Sequence, residues 1–124
     1  MTDDKRRHPR YLCTDSFGDT TVKHEDDIYT FMSINFSRSG IAIYSHLRLP
    51  EFTDCTLSFD INDDDFQVSI MNIDAAVRYR YETETGHQYG VEFTERAIAQ
   101  FNDQLNSIEA YLKAHDNPEN RWGI

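Results

Sequence analysis

Hydrophobic and polar residues alternate over most of the chain between residues 20 and 94, and this period of two is typical of half-buried β-strands. In the clearest run, Leu57, Phe59 and Ile61 alternate with polar residues. The same period recurs in the stretches 20–37, 41–44, 66–82 and 87–93, which polar turns separate. Six short strands at such close spacing predict a mainly β fold, an antiparallel barrel or sandwich.

The stretch 66–82 changes phase near its middle. Phe66, Val68 and Ile70 share one parity, whereas the later apolar residues share the other: Met71, Ile73, Ala75, Val77, Tyr79 and Tyr81. A β-bulge or a sharp bend at Ile70 and Met71 would keep both halves facing one core, as where a sheet turns the corner of a barrel. We therefore expect these apolar side chains to point inward on both sides of the bend.

The first 19 residues lack this alternation. They contain Pro9 and Gly18 among many polar residues and show no clear period. We therefore expect residues 1–19 to form a flexible, basic N-terminal arm with few apolar anchors, which leads into a barrel at 20–94.

The pattern changes again after Thr94, a residue that suits a helix N-cap. The next apolar residues follow helical spacing and form one stripe: Ile98, Phe101, Leu105, Ile108 and Leu112. This predicts a helix at 95–116 and a short tail at 117–124. The stripe could cover the barrel or join two copies of the chain. We expect it to cover the barrel, and we expect a monomer.

Length and apolar content narrow the class of protein. The 124 residues suit one domain. No stretch approaches the roughly 20 apolar residues that a membrane-spanning helix needs, and the first residues lack the apolar segment of a signal peptide. We therefore expect a cytoplasmic protein without a membrane partner.

The charge distribution indicates which partners the chain can bind. With 12 basic and 22 acidic residues, the formal net charge is -10, which argues against nucleic acid as the main partner. Four of the basic residues nevertheless fall close together: Lys5, Arg6, Arg7 and Arg10. A basic cluster on an acidic body suits a small anion, because a long polyanion would be repelled beyond the cluster.

Candidate catalytic and metal sites are weak. Asp60, Asn62 and Asp64 match the first ligand positions of an EF-hand loop, but its turn glycine and its bidentate glutamate are both replaced. The five histidines are scattered singly, Cys13 and Cys55 lie far apart, and no serine lies in a GxSxG motif. We therefore expect no metal, two reduced thiols and no enzyme activity.

Two short motifs remain, and their order and context are informative. Arg6 and Arg10 form an RxxxR motif, and Asn35, Ser37 and Gly40 form an NxSxxG motif. Placed at the start of a six-stranded barrel with a helix behind it, they resemble the PilZ domain over nearly the whole chain. The resemblance implies a split barrel and a non-catalytic bacterial receptor for cyclic di-GMP, which signals to a downstream protein.

The resemblance further implies that the N-terminal arm and the outer face of the barrel hold the ligand. The candidate ligand-binding residues are Arg6, Arg7, Arg10, Asn35, Ser37, Arg38 and Gly40, with Lys5, Arg78 and Arg80 as further candidates. Arginine can bond to phosphate or to guanine O6 and N7, and it can stack on a base. Asn35 and Ser37 leave a strand on one face, and Gly40 would permit a positive φ or a close backbone approach. We expect Arg38, Arg78 and Arg80 to pair mainly with carboxylates.

The chain departs from the family pattern at two positions. Lys5 stands where many members have a further arginine, so one or two ligand molecules per site both stay open. Asn35 replaces the commoner aspartate, and its carbonyl oxygen is a weaker acceptor than a carboxylate. Two functions therefore stay open: an adaptor that binds cyclic di-GMP, which we expect, and a PilZ-like protein-interaction module that does not bind it.

Overall fold

The computed structural model describes residues 8–46, 48 and 54–115. These residues form seven strands followed by two helices. The strands are β1 (Tyr11–Leu12), β2 (Thr20–His24), β3 (Asp27–Ser37), β4 (Gly40–Ser45), β5 (Asp54–Asp63), β6 (Phe66–Glu82) and β7 (His87–Phe93), and the helices are α1 (Glu95–Gln100) and α2 (Asn102–Ala114).

All seven strands belong to one antiparallel sheet that closes on itself. Its strand order is β1-β3-β2-β5-β6-β7-β4, and β4 also pairs with β3. Strands β2 to β7 therefore form a closed six-stranded barrel, which confirms the predicted fold class. The short β1 is an additional strand, which pairs Tyr11 with Phe36 and Leu12 with Asn35 of β3.

The β-bulge expected within 66–82 is present. Leu57 of β5 pairs with Ile73, but Phe59 pairs with Ile70, so the register shifts between them. Asn72 has a φ of 58° and donates its backbone N–H to the Ser58 hydroxyl at 2.9 Å. The expectation that Met71 points inward is wrong. Because the bulge takes up Met71 and Asn72, Met71 is 64% exposed while Ile70 and Ile73 face the core.

Two further irregularities were not expected. In β3 the register against β4 shifts between Ser33 and Asn35, so Phe31 and Phe36 are both buried although their parities differ. In β6 the register against β7 shifts between Val77 and Tyr79.

The second of these shifts corrects two predicted orientations. Beyond the bulge at Arg78, Tyr79 pairs with Gly90 and lies on the outer face of the barrel, not in the core. Tyr81, two residues further along the strand, is 58% exposed.

The barrel core is rich in aromatic rings, and one of them comes from the N-terminal segment. Phe17 is buried, stacks on Phe59 with a centroid distance of 5.7 Å, and forms a β-bridge with Ile61. The backbone N–H of Gly18 also donates to the carbonyl of Asp60 at 2.8 Å. The expectation of few apolar anchors before residue 20 is therefore wrong for the described part of this segment, because Phe17 is part of the core.

The helical region covers one side of the barrel. The Thr94 hydroxyl accepts the backbone N–H of Ala97 at 3.1 Å, as an N-cap does. The helix breaks at Phe101, so two helices replace the single predicted one. The residues of the stripe that α2 contributes are buried in the barrel core: Leu105, Ile108 and Leu112. This confirms that the stripe packs on the barrel.

Tyr111 fastens α2 to the β5–β6 hairpin. Its ring stacks on Phe66 with a centroid distance of 4.6 Å, and its hydroxyl donates to Asp63 Oδ2 at 2.6 Å. That hydrogen bond holds the pKa of Asp63 below its usual value. Neither helix of the described chain has the length and apolar character needed to cross a membrane.

Candidate functional site

A cleft of about 280 Å³ opens on the outer face of the barrel. Residues from β3, β4, β6 and β7 line it, together with Arg10 just before β1. The described members of both sequence motifs meet there: Arg10, Asn35, Ser37 and Gly40. The other cations of the basic cluster lie outside the described residues, namely Lys5, Arg6 and Arg7.

Strand β1 explains why Arg10 lies in the cleft. Its two residues pair with Asn35 and Phe36, so the residue before them lies beside the end of β3. Arg10 is exposed, and a guanidinium at this position suits an anion. The short strand therefore joins two motifs that are far apart in the sequence.

The bulge in β3 turns the second motif toward the cleft. Phe36 is fully buried, so its neighbours Asn35 and Ser37 leave the strand on the outer face. The Ser37 hydroxyl accepts the backbone N–H of Ser39 at 3.1 Å and lies 3.1 Å from the Ser39 hydroxyl. Ser37 therefore shapes the turn between β3 and β4, while Asn35 presents its side chain to the cleft.

The backbone of β7 passes so close to position 40 that only glycine fits there. A Cβ at this position would overlap the carbonyl oxygen of Val91 and would lie 3.3 Å from the Cα of Glu92. The alternative of a positive φ is wrong, because no described glycine has one. The glycine thus allows β7 to pass close to the start of β4 along the floor of the cleft.

Strand pairing arranges the cleft as a trough. Asn35 pairs with Ala42, Ala42 pairs with Gly90, and Gly90 pairs with Tyr79, so these four residues form one row across four strands. The two middle residues are small and form part of the floor. The backbones of Asn35 and Tyr79 lie at the two ends of this row, three strand spacings or about 14 Å apart along the sheet.

Tyr79 is a residue of the site that the sequence reasoning missed. A Cβ at Gly90 would overlap ring carbons Cδ2, Cε2 and Cζ of Tyr79, so the ring lies directly on the glycine backbone. Alternation along β6 had suggested an inward side chain. The signal that could have revealed it is the glycine between two inward residues of β7, Tyr89 and Val91, since a glycine in a strand often marks a close approach.

Comparison with known families identifies the family to which the chain belongs. The PilZ domain sequence model matches residues 4–113. The chain belongs to the PilZ domain family.

Three solved structures share the PilZ fold with this chain. The inhibitor of motility MotI/DgrA of Bacillus subtilis has a TM-score of 0.61 and 22% identity, over 89% of this chain and 53% of that one. YcgR of Escherichia coli in complex with c-di-GMP has a TM-score of 0.63 and 16% identity, over 90% and 49%. The isolated PilZ domain of YcgR with c-di-GMP has a TM-score of 0.60 and 13% identity, over 90% and 94%.

The chain therefore spans about half the length of MotI/DgrA and of full YcgR. No curated protein matches the chain in sequence.

The side chains of the three other candidate arginines of this PilZ domain, Arg38, Arg78 and Arg80, point in different directions. Arg38 points away from the cleft to α2, where its Nε lies 3.1 Å from Glu109 Oε1 and its Nη1 donates to Asn106 Oδ1 at 3.0 Å. Arg78 lines the cleft, and both its Nε and its Nη2 lie 3.0 Å from Glu92 Oε1. Both arginines pair with carboxylates, as expected.

Arg80 is on the wrong side for the cleft. It pairs with Tyr89, whose ring is buried in the core, so Arg80 leaves β6 on the face opposite to Tyr79. The bulge at Arg78 causes this, because it reverses the alternation that would have placed Arg80 outward. Arg80 is therefore removed from the candidates on the outer face.

Proposed function

We propose that this PilZ domain is a non-catalytic receptor for cyclic di-GMP. One observation carries the proposal: Arg10 of the RxxxR motif lines the same cleft as Asn35, Ser37 and Gly40 of the NxSxxG motif. The two YcgR structures, which share this fold, hold c-di-GMP.

Each group suits part of that ligand. Arg10 offers a charged fork that can bond bidentately to a phosphate or to guanine O6 and N7. Asn35 offers an amide oxygen that can accept from guanine N1–H and the exocyclic amine. Arg6, four residues earlier in the motif, is assigned the second phosphate on the basis of sequence alone.

Calorimetric titration with cyclic di-GMP tests the proposal and gives the stoichiometry. Removal of a charge-assisted bidentate contact should lower affinity about 30-fold to 1000-fold in Arg6→Ala and in Arg10→Ala. Arg96→Ala is the matched control, because Arg96 is an exposed arginine of α1 outside the cleft. Absence of binding by the natural chain would favour a protein-interaction module instead. Unchanged affinity in both motif variants would refute the assignment of the site.

We propose further that binding reaches a partner protein through α2. Arg38 lies between the cleft residues Ser37 and Ser39, and its side chain is bonded to Glu109 and Asn106 of α2. A ligand that reorders this turn will change those contacts. Amide exchange in α2 should respond to cyclic di-GMP in the natural chain, and the response should be smaller in Arg38→Ala. An identical response in the two proteins would exclude this route.

A further inference from the structure

We propose that Tyr79 is a base-stacking residue, and that its ring packs against one purine base of the bound ligand. The inference rests on the proposed function. It adds a specificity-determining residue to the site, on the wall of the trough opposite Asn35.

The backbone of β6 directs the Tyr79 ring to the outer face of the barrel. Val77 pairs with Val91 on the core side of the barrel, and the bulge at Arg78 then turns Tyr79 to the outer face. Bulges commonly re-aim one side chain beside a functional site. Without the bulge, Tyr79 would share the inward orientation of Val77.

Neighbouring residues also fix the position of the Tyr79 ring. Gly90 lies directly beneath it, and the three atoms nearest to a Cβ at Gly90 are all carbons of the Tyr79 ring. Tyr81 packs at its side, with a centroid distance of 4.8 Å and an interplanar angle of 42°. A ring held in this way loses little conformational freedom when a base stacks on it, so the stacking energy appears as affinity.

The two ends of the trough suit different parts of a base. Asn35 can recognise the edge of a guanine, whereas an aromatic face accepts any purine. The Tyr79 ring lies over Gly90 and the Asn35 amide lies at the other end of the same row of paired residues, so the two approach the ligand from opposite ends of the row. We assign Tyr79 to the face of a base and Asn35 to the edge of a base.

Three variants and two ligands test the stacking role of Tyr79. Removing a base–aromatic stack costs about 1–3 kcal/mol, which corresponds to a loss of roughly 5-fold to 150-fold in affinity. Tyr79→Leu should lose that much for cyclic di-GMP and for the mixed guanine–adenine cyclic dinucleotide alike, while Tyr79→Phe should stay within about 2-fold. Tyr44→Leu is the control, because Tyr44 is a half-buried tyrosine of β4 outside the cleft.

Nuclear magnetic resonance of the bound ligand supplies a signal that a purely structural role would not produce. In the natural chain and in Tyr79→Phe, the H8 proton of one base should move upfield through the ring current and show contacts to the ring of residue 79. These contacts decide the question even if Tyr79→Leu fails to fold.

The outcomes separate the two proposals. If the natural chain does not bind cyclic di-GMP, the proposed function fails. If it binds but neither base contacts Tyr79, or if Tyr79→Phe loses as much affinity as Tyr79→Leu, the stacking role is wrong and the receptor function stands.

Discussion

Gly90→Ala is the substitution that most directly tests the architecture of the cleft, and it needs no ligand. Its added methyl group would overlap the Tyr79 ring, and no other side chain or backbone atom lies among its three nearest neighbours. Overpacking of this kind costs about 1–3 kcal/mol. We therefore expect Gly90→Ala to lower the free energy of unfolding by about that amount in the natural background.

The same substitution should change sign when Tyr79 is shortened. Gly90 does not have a positive φ, so alanine fits its backbone without strain. Glycine to alanine at such a position stabilises a protein by about 0.4–1 kcal/mol, because it restricts the unfolded chain. In a Tyr79→Ala background, Gly90→Ala should therefore be neutral or stabilising, which gives a coupling free energy of about 1–3 kcal/mol.

Urea denaturation followed by circular dichroism measures all four proteins of this double-mutant cycle. Gly40→Ala provides the contrast, because its Cβ would meet the backbone carbonyl of Val91. Its cost should be the same with and without Tyr79. An equal cost of Gly90→Ala in both backgrounds would show that the tyrosine ring does not rest on Gly90, and the trough would lose one of its walls.

Three further outcomes are expected. Tyr111→Phe should lower the free energy of unfolding at pH 7, because it removes the hydrogen bond that lowers the pKa of Asp63. The stabilisation from this bond is present above the ordinary carboxyl pKa of about 4 and is lost as the pH falls through the lower folded value. The natural chain and the variant should therefore converge in acid denaturation. Burial raises the pKa of the partly buried Cys13 and of the buried Cys55 to about 12, so iodoacetamide should alkylate both slowly at pH 7.5 and rapidly in urea. Fast labelling of the folded chain would show that the thiols are not shielded from the reagent. The natural chain should prefer cyclic di-GMP over cyclic di-AMP by at least about tenfold in calorimetry, and Asn35→Ala should reduce that preference; equal affinities would mean that only the phosphates are read.

Alternation of apolar residues was sufficient to predict a mainly β fold of short antiparallel strands, because each strand buries one face, but it left a barrel and a sandwich open. Leu57, Phe59 and Ile61 are all buried as their spacing requires, and the stripe on α2 packs on the barrel. The closing pair of β3 and β4 is a long-range property, and the spacing within a strand carries no information about it. Phe17 was missed for a related reason: a single aromatic residue in an irregular segment has no period that would indicate its burial.

The motif residues could be named from the sequence, but their surroundings could not. Spacing places Asn35 and Ser37 on one face of a strand, and the structure has them on the cleft face. Spacing did not indicate that Arg38 would turn to Glu109, because that contact joins elements far apart in the chain. For Arg80 and Tyr79, the error came from treating β6 as regular beyond its first bulge.

The β-bulges in β3 and at Arg78 of β6, which alternation along the strands did not predict, also form the cleft. With Phe31 in the core, a regular β3 would direct Asn35 inward, and the shift after Ser33 turns it outward instead. With Val77 on the core side, a regular β6 would direct Tyr79 inward, and the shift at Arg78 turns it outward as well. Each wall of the trough therefore depends on one extra residue in a strand. Deleting such a residue is expected to restore regular pairing and to return that side chain to the core, which would remove one wall of the cleft.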